Sequence, residues 1–133
     1  MSKQTNKTFF APQLYIKSGV RDVDFYINGL GAKELRRFSN DDGTIHVSEL
    51  SIDGTLFHLH EEKPGEGYFD PTKHNGVTTI IGLFVDDVDK LMKQAIRAGA
   101  TLVKAAQDHD YGYRQGEIRD PFGHIWLIEK KIP

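Results

Sequence analysis

Two histidines, His58 and His60, stand two residues apart in a segment with the alternating pattern of a β-strand. Side chains two apart on a strand face the same way, so both imidazoles share one face while Phe57 and Leu59 pack on the other. An imidazole nitrogen can bind a divalent metal or hydrogen-bond an oxygen-rich ligand. The same pattern also fits a strand with a polar outer face, and the spacing alone leaves both interpretations open.

Polar and aromatic side chains cluster in two further segments. One cluster precedes a C-terminal turn and consists of Asp108, His109, Tyr111, Tyr113 and Arg114. The Arg114 guanidinium can clamp a carboxylate or phosphate, or it can pair with Asp120 or Glu117. The other cluster is Tyr68, Phe69 and His74, in a polar loop over residues 61–76. These three can close over a ligand, or they can anchor the loop or a partner subunit.

Composition and missing motifs exclude several chemistries. The 133 residues contain no cysteine, which excludes disulfides, cysteine nucleophiles, thiolate zinc sites and iron–sulfur clusters. A formal charge of -2 argues against nucleic-acid binding. Gly65 and Gly67 precede Tyr68 rather than a phosphate-loop lysine, and no serine has the glycines of a nucleophile elbow. No run approaches the roughly 18 apolar residues of a membrane span, and the polar N-terminus lacks a signal-peptide core, so we expect no membrane partner and a cytoplasmic protein.

The positions of strand and helix patterns predict that one structural unit occurs twice. Residues 13–17 form a strand, Val20 to Leu30 carry the apolar stripe of a helix ended by Gly31, and three strands follow at 33–38, 44–52 and 55–60. After the loop, the order repeats with a strand at 78–85, a helix from Val88 to Ile96 ended by Gly99, and strands at 101–105, 114–119 and 124–130, with a loop at 107–113.

The register of the two units supports the duplication. The turn glycines Gly54 and Gly123 are 69 residues apart, as are Ile16 and Val85 at the ends of the first strands. We therefore predict one domain over residues 1–133, with repeat one at 12–62, a connecting loop at 63–77 and repeat two at 78–131. The predicted fold is α+β, with two βαβββ repeats forming curved mixed sheets around a cavity.

Two short motifs carry a family resemblance. The first is Val23-Asp24-Phe25-Tyr26 with Leu30-Gly31-Ala32, and the second runs from Tyr111-Gly112-Tyr113-Arg114-Gln115-Gly116 to Asp120-Pro121-Phe122-Gly123-His124-Ile125-Trp126. With the repeated element order, they make the chain resemble the vicinal oxygen chelate superfamily, which includes glyoxalase I, extradiol dioxygenases, and fosfomycin- and bleomycin-resistance proteins. The second motif is similar to the glyoxalase/bleomycin-resistance branch. Turn chemistry alone explains Asp120 to Gly123, and Phe122 and Trp126 are expected in the core or an interface.

The resemblance implies where a metal would be held. Enzymes of this superfamily bind a divalent ion with His, Gln or Glu side chains, one from the first and one from the last strand of each repeat. The register assigns these positions to Ala11, His58, Ile80 and Leu127, of which only His58 can bind a metal. A catalytic ion usually takes about three protein ligands, so no metal cofactor is expected. A register shifted by two residues keeps the same face and offers an alternative metal set, Gln13, His60 and Glu129.

Three functions follow from these residues. The favoured one is a metal-free protein of the glyoxalase/bleomycin-resistance type that binds a small organic molecule in the cavity. Its expected ligand-binding residues are Leu56, His58, His60, Ile80, Phe84, Tyr111, Arg114 and Leu127. The alternative is a lyase, isomerase or dioxygenase whose divalent metal, on the shifted set, polarises two neighbouring substrate oxygens. The third is a dimeric domain without chemistry. The resemblance also implies a homodimer.

Overall fold

The computed structural model describes residues 8–133, and the polar segment 1–7, on which the absence of a signal peptide was argued, lies outside them. The first half contains β1 (Gln13–Ile16), α1 (Asp24–Leu30), β2 (Lys33–Ser39), β3 (Ile45–Ile52) and β4 (Thr55–Glu61). The second half contains β5 (Ile80–Phe84), α2 (Val88–Arg97), β6 (Thr101–His109), β7 (Tyr113–Arg119) and β8 (Ile125–Lys131). The connecting segment holds two short 3-10 turns, Pro64–Glu66 and Pro71–Lys73.

The strands form two sheets of the same topology. Their orders are β1-β4-β3-β2 and β5-β8-β7-β6, with the first pair of each parallel and the other pairs antiparallel. The pairing repeats in register. Gln13 lies opposite His58 in the first sheet, and Gly82 lies opposite Leu127 in the second, so each residue of the second pair is 69 positions after its counterpart in the first. The predicted pair of βαβββ repeats in an α+β fold is confirmed.

The element boundaries that differ most from the prediction are the start of α1 and the end of β6. The helical stripe begins at Val20, but α1 starts at Asp24, and the Val20 carbonyl instead accepts a hydrogen bond from Ile45 N. The predicted loop at 107–113 is wrong at its start, because Gln107, Asp108 and His109 still pair with β7. Irregular pairing between Leu102 and Gln107 changes which face of the sheet successive side chains of β6 point to. The regular alternation of apolar and polar residues in the sequence therefore ends before the strand does.

A buried aromatic cluster joins the two halves. Tyr26 of α1, Phe57 of β4 and Trp126 of β8 pack together, and the Phe57 and Trp126 rings lie 5.5 Å apart. Asp120, which is 3% exposed, accepts hydrogen bonds from the Tyr26 hydroxyl at 2.6 Å and from Trp126 Nε1 at 3.0 Å. Burial and the neighbouring Asp120 charge raise the pKa of Tyr26. Trp126 is therefore a core residue.

The opposite face of each sheet is uncovered. Phe57 and Trp126 both face the shared core, so the alternate side chains of β4 and β8, including His58 and Leu127, lie on the other faces. On β5, Ile80 is 47% and Phe84 58% exposed. Within residues 8–133 the two sheets thus meet through their helix sides, and their outer faces do not cover each other. Neither helix in this part of the chain is long and apolar enough to cross a membrane.

Candidate functional site

A large cleft lies at the seam where the first strands of the two halves, β1 and β5, come near each other. Its volume is about 930 Å³, and it is lined by residues 10–15, by most of residues 67–82 and by His124. The predicted cavity residues are all on strands and their turns, whereas this cleft is walled on one side by the connecting segment. We refer to this space as the seam cleft.

Aromatic rings form much of the wall of the seam cleft. Tyr15 of β1 and Tyr68 of the connecting segment stack with ring centroids 5.0 Å apart and planes only 10° apart. Phe69 and His74 make a second pair at 4.7 Å. Tyr68 and Phe69 are 47% and 42% exposed, so part of each ring is accessible to a ligand. The three aromatic side chains of this segment, predicted to close over a ligand or to anchor the loop, do line the cleft.

Few hydrogen-bonding side chains reach the seam cleft. Gln13 Oε1 lies 2.5 Å from His60 Nε2, which connects His60 on β4 to the cleft wall. Burial, with the positive charges of His58, Lys63 and His46, lowers the pKa of His60 and favours its neutral imidazole. His124 Nε2 lies 2.8 Å from the Tyr15 carbonyl. A carbonyl only accepts, so Nε2 carries a proton and donates, and in the neutral imidazole that leaves Nδ1 as an acceptor.

Ion pairs and hydrogen bonds fix the middle of the segment that walls the cleft. Lys73 Nζ donates to the two carboxylate oxygens of the buried Glu62 at 2.8 and 3.0 Å and lies 3.8 Å from Asp70. Asp70 begins the second 3-10 turn, accepting from the backbone N–H and the hydroxyl of Thr72. Burial alone would raise the pKa of Asp70, but the Thr72 hydrogen bonds and the Lys73 charge outweigh it and lower that pKa.

The C-terminal turn, residues 120–123, packs closely against the same segment. Gly123 has a φ of +94°, and a Cβ there would lie 3.0 Å from Thr72 Cγ2 and 3.2 Å from Pro71 Cβ. The turn motif Asp120-Pro121-Phe122-Gly123 therefore has two structural tasks. Asp120 joins the two halves in the core, and Gly123 lets the cleft-walling segment approach the backbone closely.

Some predicted ligand-binding residues lie at or near the seam cleft. Ile80 lines it directly, and His60 contacts it through Gln13. His58 is on the same face of β4 as His60, with ring centroids 5.9 Å apart, and Leu56 is half-buried on that strand. Leu127 is half-buried on the outer face of β8, and Phe84 lines a separate recess of about 560 Å³ with Ile52 and Lys130.

Two predicted residues lie elsewhere. Tyr111 is 61% exposed in the β6–β7 turn, where it stacks on His109 and donates to Gln115 Oε1. Arg114 donates to Asp89 of α2 and to Asp108, both at 2.9 Å. The predicted pairing of Arg114 with Asp120 or Glu117 is wrong. Arg114 lies on the face of β7 that packs toward α2, together with Gly116 and Ile118, and there it pairs with Asp89 instead.

The residues present do not fit a catalytic divalent metal. Gln13 and His60 of the shifted set belong to the first sheet, while Glu129 belongs to the second and accepts from Gln115 Nε2 at 2.8 Å. The carboxylate of Glu129 fills the space above Gly82, where a Cβ would lie 2.6 Å from its Oε2. No three His, Cys, Asp or Glu side chains among residues 8–133 are arranged to hold an ion. No metal-dependent step is therefore derived for this chain.

Comparisons with known proteins agree on one family. The family model described as Glyoxalase/Bleomycin resistance protein/Dioxygenase superfamily matches residues 13–128. An uncharacterized protein of Mycobacterium bovis is 34% identical over 125 residues, covering 92% of this chain and 82% of that protein.

Solved structures add the same fold. TioX from Micromonospora sp. ML1 is 25% identical, with a TM-score of 0.69 and coverage of 95% of this chain and 98% of that one. The fosfomycin resistance protein FosX of Listeria monocytogenes is 16% identical, with a TM-score of 0.65 and coverage of 95% and 94%. At that identity FosX is similar in fold alone.

Proposed function

This chain belongs to the Glyoxalase/Bleomycin resistance protein/Dioxygenase superfamily, and we propose that it binds a small organic molecule without the divalent metal that the superfamily often uses. The observation that carries the proposal is the seam cleft. A volume of about 930 Å³ lined by aromatic and aliphatic side chains, with few polar groups, is typical of ligand pockets in proteins.

The position of the cleft supports binding without a metal. Ala11 and Ile80, which the family register assigns to the metal-ligand positions on the two first strands, both line the cleft. Their side chains are a methyl and a branched alkyl group, which offer no donor atom to an ion. Two of the four positions that the family register assigns to metal ligands thus line the cleft, and their side chains favour apolar contact.

We propose that the ligand contacts Ile80 and Gln13 directly and that His60 acts through Gln13. The hydrogen bond that a neutral His60 donates from Nε2 to Gln13 Oε1 holds the amide in one orientation at the cleft wall. His58, Leu56 and Leu127 then extend the ligand-binding surface along the outer sheet faces. Tyr111 and Arg114 are left out of this surface, because their partners are His109, Gln115, Asp89 and Asp108.

We further propose that two copies pair as a homodimer. Members of the superfamily often form dimers, and both outer sheet faces of this chain expose large apolar side chains. Leu35 and Phe38 of β2 and Phe84 of β5 are each more than 40% exposed and lie outside the seam cleft. A second copy that covers these faces would remove apolar surface from water. The cytoplasmic location stays a prediction.

Binding can be tested by the thermal stability of the metal-stripped protein. A panel of neutral aromatics, nucleosides, sugars and organic acids is added in excess chelator, and the melting temperature is measured. A ligand at 100 times its Kd stabilises the folded state by about 2.7 kcal/mol, so at least one compound class should raise the melting temperature by several degrees.

Two isoleucine variants show whether such a shift comes from the cleft. Ile80→Ser changes the cleft, while Ile96→Ser changes a similarly exposed isoleucine on α2, at 40% against 47% exposure. The proposal predicts that Ile80→Ser reduces the shift and Ile96→Ser preserves it. If compounds stabilise the protein only when Ni, Zn, Mn or Fe replaces the chelator, the metal-dependent lyase, isomerase or dioxygenase is the correct function instead. If no compound acts in either condition, the chain is a domain without small-molecule chemistry.

A further inference from the structure

The wall of the seam cleft, as formed by residues 8–133, contains no lysine, arginine, aspartate or glutamate, although charged residues make up 27% of the chain. Two charged groups of the connecting segment are engaged outside the cleft, since Lys73 pairs with Glu62 and Asp70 caps a turn. A ligand carboxylate or phosphate would lose its water here without gaining an opposite charge, and the Glu129 carboxylate above Gly82 would repel it. The wall therefore favours a neutral ligand over an anionic one.

The aromatic part of the cleft wall, formed by Tyr15 and Tyr68, offers a flat ring surface to a ligand. Tyr15 and Tyr68 are nearly parallel, and the Tyr68 backbone is fixed by two hydrogen bonds with Lys63, at 2.8 and 3.1 Å. Tyr68 is thus an exposed ring on a backbone that is already ordered. A planar aromatic ligand can stack against such a ring, which adds to the gain from removing its apolar area from water.

One ring nitrogen of a cleft-lining histidine has no hydrogen-bond partner among the described residues. His124 lines the cleft, is 9% exposed, and donates its Nε2 proton to the Tyr15 carbonyl. No side chain or backbone group among residues 8–133 hydrogen-bonds its Nδ1. A ligand hydroxyl or ring N–H that donates to Nδ1 would satisfy that nitrogen.

Building on the proposed function, we infer that the seam cleft takes an uncharged, planar aromatic molecule that carries a hydroxyl or N–H donor. Four bicyclic probes of similar size separate these properties. They are beta-naphthol, its anionic analogue beta-naphthoate, its saturated analogue beta-decalol, and beta-methoxynaphthalene, which lacks the hydrogen-bond donor. Dissociation constants are measured by NMR titration of the full chain. Beta-naphthol should bind about tenfold more tightly than the anion, and about fivefold more tightly than the saturated and donor-free probes.

Two tyrosine variants place the binding. Tyr68→Ala should weaken beta-naphthol about fivefold. Tyr111→Ala should leave the affinity for beta-naphthol unchanged. Tyr111 makes a matching stack on His109, with ring centroids 4.9 Å apart and planes 10° apart, but it lies outside the cleft. A variant that unfolds is recognised by its amide spectrum, and Tyr68→Phe then replaces Tyr68→Ala and should retain full binding.

Each opposite result overturns a stated part of the inference. Equal binding of beta-naphthoate removes the charge argument, equal binding of beta-decalol removes stacking, and equal binding of beta-methoxynaphthalene removes the role of His124. No binding by any of the four probes overturns the inference as a whole. The proposed function survives that result if another class in the stability panel still gives a shift that Ile80→Ser reduces, so the two failures are distinguishable.

Discussion

Replacing Asp120 with alanine is expected to lower the free energy of unfolding by about 3–5 kcal/mol. Its carboxylate accepts from the Tyr26 hydroxyl, Trp126 Nε1 and the backbone N–H groups of Phe122 and His124, at 2.6 to 3.0 Å. Without it, four donors in a nearly water-free region lose their acceptor at once. Because Tyr26 and Trp126 come from different halves, we expect the whole chain to unfold at a lower urea concentration in a single transition.

Two further variants define this effect. Asp110→Ala removes an exposed aspartate and should change the unfolding free energy by less than about 0.5 kcal/mol. Tyr26→Phe removes one of the four donors and should cost about 1–2 kcal/mol, well below the loss for Asp120→Ala. An Asp120→Ala protein as stable as Asp110→Ala would contradict the assignment of this carboxylate as the polar link between the halves.

Replacing Gly123 with alanine is expected to lower the free energy of unfolding by about 2–4 kcal/mol. At a φ of +94° an alanine is strained, and its Cβ would also lie within 3.0 to 3.3 Å of Thr72 and Pro71. Pro71 lines the seam cleft, so moving this segment also changes the cleft wall. We therefore expect weaker binding of any cleft ligand together with the loss in stability, measured by urea unfolding and by titration.

The duplicated fold supplies a matched control for this variant. Gly54 is the corresponding turn glycine of the first half, with a φ of +82°, but a Cβ there would have nothing within 4 Å. Gly54→Ala should therefore cost only the backbone strain, about 1–2 kcal/mol, and leave binding unchanged. Equal losses of stability in the two variants, with binding intact in both, would show that the contact between the C-terminal turn and the cleft wall has no energetic role.

The fold could be predicted because its signals are local and occur twice. The helix ends are marked by Gly31 and Gly99, and the turns by Gly54 and Gly123, so the register of one half checks the other. Strand alternation placed Phe57 and Leu59 in the core and His58 and His60 on the opposite face. Strand β6, whose pairing with β7 is irregular, extends four residues beyond its predicted end.

The cleft was harder to predict, because distant segments form it. Tyr68 stacks on Tyr15 and His124 bonds to the Tyr15 carbonyl, and no spacing within the sequence indicates either contact. Arg114 is different, since a local signal was available. The small and apolar residues Gly116 and Ile118 indicate which face of β7 packs under α2, and counting back by two places Arg114 on that face.

The central claim is that the site works without a metal, and the metal content of the protein purified without added ions tests it most directly. Elemental analysis should find Ni, Zn, Mn and Fe together at less than about 0.1 ion per chain, with no tight binding when each is titrated in a calorimeter. One tightly held ion per chain, absent from a folded His60→Ala variant, would contradict the account.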